Sequence, residues 1–91
     1  MESFDVEKKV ARVRRFAGER FHTKTGLEFT YRVEGNSVYT TRTEYAISLS
    51  DFRKVLELVP LKGPGEINWV VRGPSYIWAI LHDPRIAEGD W

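Results

Sequence analysis

The sequence predicts a small α+β domain: an N-terminal amphipathic helix, a β-hairpin, then two or three short helices with a helix-turn-helix-like C-terminal half. Three observations carry that expectation. Residues 6–17 place apolar side chains at helical spacing, residues 27–33 alternate with a period of two, and residues 52–59 return to i, i+3, i+4, i+7. A chain of 91 residues buries one core and no more, so residues 1–91 are expected to form a single domain. Within it, 1–26 are a basic helix and connector, 27–49 the hairpin, 50–86 the helical part and 87–91 a short tail.

In the first helix Val6, Val10, Val13 and Ala17, with Phe16 beside them, form the apolar face, while Lys8, Arg12 and Arg15 fall on another. Ser3 or Asp5 is placed to cap it and Gly18 to end it. Arg20 to Gly26 reads as a polar connector. Leu27, Phe29, Tyr31 and Val33 then alternate with Glu28, Thr30 and Arg32, as in a half-buried strand, and Glu34-Gly35-Asn36-Ser37 is its turn.

Two hairpin registers are open. A two-residue Gly35-Asn36 loop pairs Val33 with Val38 but sets Arg42 opposite Phe29 on the buried face. A three-residue loop pairs Val33 with Tyr39, puts Tyr39, Thr41, Thr43, Tyr45, Ile47 and Leu49 on one face, and leaves Arg32, Thr40 and Arg42 hydrated. The second is the preferred expectation.

Ser48 and Asp51 have capping-box spacing before a helix whose stripe is Phe52, Val55, Leu56 and Val59, with Pro60 as its stop. Leu61 to Gly65 connects. Glu66 to Val71 admits two readings: a strand with Ile67, Trp69 and Val71 on one face, or a short helix that turns Trp69 outward beside Arg72. Gly73-Pro74-Ser75 opens a last helix with core residues Tyr76, Ile77, Ile80 and Leu81, closed by Asp83-Pro84. The tail from Arg85 is expected to fray unless Ile86 or Trp91 docks.

The order short helix, glycine turn, small polar cap, helix in Glu66 to Leu81 resembles the helix-turn-helix class of motif, with spacing loose by one residue. The resemblance implies that Ser75, Trp78, Ala79 and His82 lie on or near the open face of the last helix, and that Arg72, Ser75, Tyr76, Trp78 and His82 serve readout.

Charge adds a second line of argument. The chain is nearly neutral, with 14 Lys/Arg against 13 Asp/Glu, yet residues 8–24 hold seven Lys/Arg and one acid, Glu19, a local charge of +6. Such a patch concentrates polyanions and contacts phosphates, although solvated helix faces are often as basic. The function expected is non-catalytic DNA or other nucleic-acid binding, with Lys8, Lys9, Arg12, Arg15, Arg20 and Lys24 as phosphate contacts and Arg32 and Arg42 as a wing. The competing reading is a protein-interaction or small-ligand module in which Tyr39, Trp69 and Trp78 form an exposed aromatic patch. A protein partner or a homodimer fits either reading.

Other classes are excluded or weak. Zero cysteines leave no disulfide framework, thiolate zinc site or cysteine nucleophile, and no compartment other than the cytoplasm is called for. No His pair at i, i+4, acidic loop or dinucleotide fingerprint occurs, and Gly63-Pro64-Gly65 lacks the Lys and Ser/Thr of a phosphate loop, so neither metal nor cofactor is expected. His22 and His82 have the chemistry of an acid–base pair for RNA cleavage beside Arg20 or Lys24, but nothing in the sequence joins them, and no catalytic residue is assigned. No apolar run is long enough to cross a bilayer and Met1 to Asp5 lacks the order of a signal peptide, so the whole chain is expected to be mature and soluble, with no membrane partner.

Overall fold

Asp5 starts the first helix, α1 (Val6–Arg15), by accepting Glu7 N–H at 2.9 Å and Lys8 N–H at 3.3 Å through its carboxylate. The computed structural model describes residues 4–91, so Ser3, the other capping candidate, lies outside the described residues. The helix stops at Arg15 with Phe16 as C-cap, and Gly18, at φ 92°, turns the chain so that its N–H donates to Tyr31 O at 2.8 Å.

The strand expected over residues 27–33 is two strands in two sheets. β1 (Phe21–His22), inside what the sequence presents as a polar connector, pairs antiparallel with β2 (Glu28–Phe29), Phe21 opposite Phe29. After Thr30 the chain enters a second antiparallel sheet, ordered β3 (Tyr31–Glu34), β4 (Ser37–Thr40), β5 (Ile47–Ser48). Leu27 lies in the loop ahead of β2 rather than in the strand and is 49% exposed, while Phe29 and Tyr31 stay buried.

The hairpin adopts the register that the sequence argument set aside. Val33 pairs with Val38 and Glu34 with Ser37, around the two-residue Gly35-Asn36 loop. Gly35 sits at φ 61°, the conformation that the first position of a tight primed turn requires and that glycine adopts without strain. The objection to this register disappears because the ladder ends at Tyr31 and Thr40. Arg42 therefore never meets Phe29 inside, and its Nε donates outward to Glu28 O at 3.0 Å. Val38 and Thr40 face the core, and the irregular stretch 41–46 shifts the alternation so that Ile47 and Leu49 also face inward.

α2 (Leu49–Leu56) begins at Ser48, whose Oγ accepts Ser50 N–H at 3.0 Å, and buries Leu49, Phe52, Val55 and Leu56. It ends before Pro60 is reached. Residues 66–71 are not a strand: a 3-10 turn over Pro64–Ile67 buries Ile67 and passes into further turns, leaving Trp69 84% exposed. Gly73, at φ 68°, and Pro74 then open α3 (Pro74–Leu81). Asp83-Pro84 does more than close that helix, because the Asp83 carboxylate accepts Arg85 N–H at 2.9 Å and starts α4 (Pro84–Ala87).

The core joins α1, both sheets, α2 and α3 in one cluster around Val13, Phe21, Phe29, Phe52, Ile77 and Leu81. Among the described residues, four α-helices and two small antiparallel sheets thus form one small α+β domain, and no helix is long and apolar enough to cross a membrane. The tail docks: Ile86 is fully buried, the Trp91 ring lies tilted against Phe4 with centroids 4.7 Å apart, and its indole N–H donates to Leu81 O at 2.9 Å.

Candidate functional site

The basic patch of α1 divides in two when folded. Lys9, expected as a phosphate contact, is only 2% exposed and cannot serve as one. Its ammonium donates to Ile86 O at 3.1 Å and Ala87 O at 3.0 Å, and pairs with Glu88 at 3.0 Å and Asp90 at 2.6 Å. The sequence holds the reason: Lys9 lies three residues after Val6 and four before Val13, within the apolar stripe. Arg12 is also drawn inward, bonding Arg85 O at 2.8 Å and pairing with Glu88 at 3.2 Å. Lys8, Arg14 and Arg15 remain exposed, and Arg14 reaches across to Asn36 Oδ1 in the hairpin turn at 3.4 Å.

At the other end of the hairpin, where Gly18 N–H meets Tyr31 O, lies an open cleft of about 300 Å³. Gly18 forms one wall, and Thr30, Arg32, Tyr39 and Thr41 form the other. Arg32 and Tyr39 are cross-strand partners on the sheet face away from the core, and the guanidinium sits 4.5 Å from the ring centroid. Arg42 follows Thr41 directly and bonds Glu28 O; Arg20 pairs with the Glu28 carboxylate at 3.5 Å. Arg32 is thus the cation that lines the recess, and its guanidinium pairs with Glu34, while Arg20 and Arg42 meet at Glu28 and Arg14 reaches the hairpin turn.

Lys24 belongs elsewhere. It bonds Lys62 O at 2.9 Å, lies 5.9 Å from the Trp78 ring, and shares a smaller recess of about 160 Å³ with Thr25, Leu27, Ser75 and Tyr76.

The last helix presents little open surface. Ile77, Ala79, Ile80 and Leu81 are buried, so Ala79, expected on the open face, is a core residue; a helix apolar all round packs into a core. Tyr76 stands edge-on to Phe29 at 5.2 Å. Trp78 donates its indole N–H to Leu61 O at 3.1 Å and stacks on His82 at 4.9 Å. His82 Nε2 accepts Leu61 N–H at 3.0 Å, which leaves Nδ1 to carry the proton toward Trp78 O. Burial holds this imidazole below its ordinary pKa, and the bond to Trp78 O offsets part of that effect. Among these candidates Arg72 is exposed; it lies 5.0 Å from the Tyr45 ring, three residues from Trp69.

His22, on β1, sits 3.8 Å from Glu28 and is solvent-accessible, whereas both ring nitrogens of His82 are engaged by the backbone. No group of three or more His, Cys, Asp or Glu among the described residues is arranged to hold a metal ion. Burial pushes the Asp83 carboxyl up, but the bonds and charge of Arg85 outweigh it and leave Asp83 below its ordinary value.

No family model, curated protein or solved structure matches this chain. The geometry itself is therefore what a functional reading rests on. Sequence reasoning missed Thr30 and Thr41 as cleft walls and Arg14 as the link to the hairpin. The signal for them is the Gly35-Asn36 turn, which fixes the pairing of Arg32 with Tyr39 once the two-residue loop is chosen.

Proposed function

We propose that this domain binds nucleic acid without catalysis, through the face around the Arg32–Tyr39 cleft. Lys8, Arg14, Arg15, Arg20 and Arg42 supply phosphate contacts, and the cleft receives whatever the backbone presents between them. The observation that supports the reading is an open recess lined by Arg32, Thr30 and Thr41, on a hairpin that Arg14 contacts at its turn and whose Arg42 meets Arg20 at Glu28. Guanidinium forks and hydroxyls suit phosphate oxygens, which accept several charge-assisted bonds at once.

The experiment is a titration of a fluorescein-labelled mixed-sequence oligonucleotide, followed by anisotropy at about 50 mM and about 200 mM salt, a range over which phosphate contacts weaken steeply. Replacing both Arg15 and Arg42 by Glu should abolish binding and flatten the salt dependence. Binding that ignores salt, or survives this double charge reversal, overturns the reading.

A second reading has one specific observation in its favour. Trp69 is 84% exposed and stands close in chain to Arg72, which lies against Tyr45. An exposed tryptophan beside an arginine is typical of protein-interaction anchors, so a docking surface for a protein partner is the alternative. Under it, the Arg15 and Arg42 reversals leave partner binding intact and Trp69→Ala removes it.

A further inference from the structure

The kind of nucleic acid is constrained by which surfaces the fold leaves open. A duplex hides the faces of its bases and offers only their edges, which a protein reads by inserting a helix or ribbon into a groove. The helix with the right sequence context for that task, α3, is committed to the core through Ile77, Ala79, Ile80 and Leu81. The exposed side of α1 offers Lys8, Arg14 and Arg15, cations that suit phosphates, with Ala11, which carries no side-chain hydrogen-bonding group, and Glu7, which is paired with Arg53.

The cleft has the opposite character. Its volume of about 300 Å³ is at the small end of ligand sites, room for one ring system rather than a helix. It contains an aromatic ring, Tyr39, with the Arg32 guanidinium near it, and the hydroxyl-bearing Thr30 and Thr41, with Arg42 next in the chain. An aromatic residue for stacking, a nearby cation for the backbone and polar groups for base edges are what recognition of an unpaired base requires.

We infer that the ligand is single-stranded nucleic acid, one unpaired base of which seats in the cleft between Gly18 and the Arg32–Tyr39 pair. This rests on the nucleic-acid reading above and narrows it. The base stacks against Tyr39, while Arg42 and Arg20 hold the flanking phosphates.

The test compares three labelled oligonucleotides of one mixed sequence, as single-stranded DNA, single-stranded RNA and blunt duplex DNA, titrated with the full chain at about 50 mM salt. Either single strand should bind at least about tenfold tighter than the duplex, and which of the two binds better identifies the sugar. Tyr39→Leu, which keeps apolar bulk but removes the ring, should weaken single-strand binding by roughly five- to a hundredfold, the range for loss of one stacked base. Duplex affinity should not change. Equal or tighter duplex binding overturns the inference while leaving the nucleic-acid reading standing, and so does a Tyr39→Leu loss shared equally by all three. Absence of binding to all three overturns both. The wild-type comparison decides the question even where the variant fails to fold.

Discussion

The Lys9 ammonium lies 2.6 Å from the Asp90 carboxylate and ties the first helix to the C-terminal tail. The ion pair is one arm of a larger clasp, because Ile86 O and Ala87 O accept from the same nitrogen and the Trp91 ring centroid lies 5.0 Å away. A buried ammonium is tolerable only when it is so fully coordinated. The tail's acids thereby cancel charge that the sequence suggests is offered to solvent.

Lys9→Met should therefore destabilise the fold by about 2–3 kcal/mol, because two carbonyls lose their donor and Asp90 loses its cation, while Glu88 keeps Arg12. The cost stays below that of a wholly buried pair, since Glu88 and Asp90 keep 43% and 45% of their side-chain exposure and can rehydrate. Asp90→Asn should cost under about 1 kcal/mol, with Glu88 still in place. Urea unfolding of the three proteins checks this, and a Lys9→Met midpoint equal to wild type would refute the clasp. Oligonucleotide affinity should be unaffected by Lys9→Met in folded protein.

Gly73 faces a double restriction. Its φ of 68° disfavours any side chain, and an added Cβ would stand 2.7 Å from Ile47 Cδ1 in the core. Gly73→Ala should cost about 2 kcal/mol or more, from the left-handed backbone and the overpacked contact together. Ile47→Val deletes the offending methyl, so the double variant should be more stable than the sum of the two single losses predicts. Strict additivity in a double-mutant cycle would show that the contact is not what Gly73 relieves.

The sequence displayed the amphipathic character of α1, the Ser48 cap of α2 and the glycine-proline start of α3, because each rests on side chains within one or two turns of each other. What it did not display depends on partners far along the chain. Phe21 reads as part of a polar connector because a two-residue strand is too short to show a period; its burial comes from pairing with Phe29 and packing near Tyr31. Lys9 occupies a position the helical period marks as inward, but the acceptors that make this feasible lie at the other end of the chain. The cleft was invisible for the same reason, since Gly18 meets the hairpin through a single backbone bond to Tyr31.

The three tryptophans should separate by environment. Trp69→Ala should change stability by no more than about 0.5 kcal/mol, as expected for a surface position, whereas Trp78→Ala should cost about 2–3 kcal/mol by removing the bond to Leu61 O and the stack on His82. Acrylamide should quench a large fraction of the emission in wild type and much less in Trp69→Phe. Equal quenching of both proteins would contradict the exposure of Trp69.

His82 makes stability depend on pH, and the sign follows from its contacts. The neutral ring accepts Leu61 N–H at Nε2, and a proton added there would face that donor. Burial holds the folded-state pKa below the ordinary value of 6.5, so unfolded chains take up the proton first as pH falls. Above about 6.5 both states are neutral at this site and the full contribution of His82 is present. Below it the unfolded state gains protons that the folded state refuses, and stability declines until His82 titrates in the folded chain as well. Urea midpoints measured from pH 8 to pH 5 should therefore fall for wild type and fall less for His82→Gln. Exposed His22, 3.8 Å from Glu28, is present in both proteins, so the difference between the two curves isolates His82. Parallel curves would mean that burial does not hold His82 neutral in the folded chain.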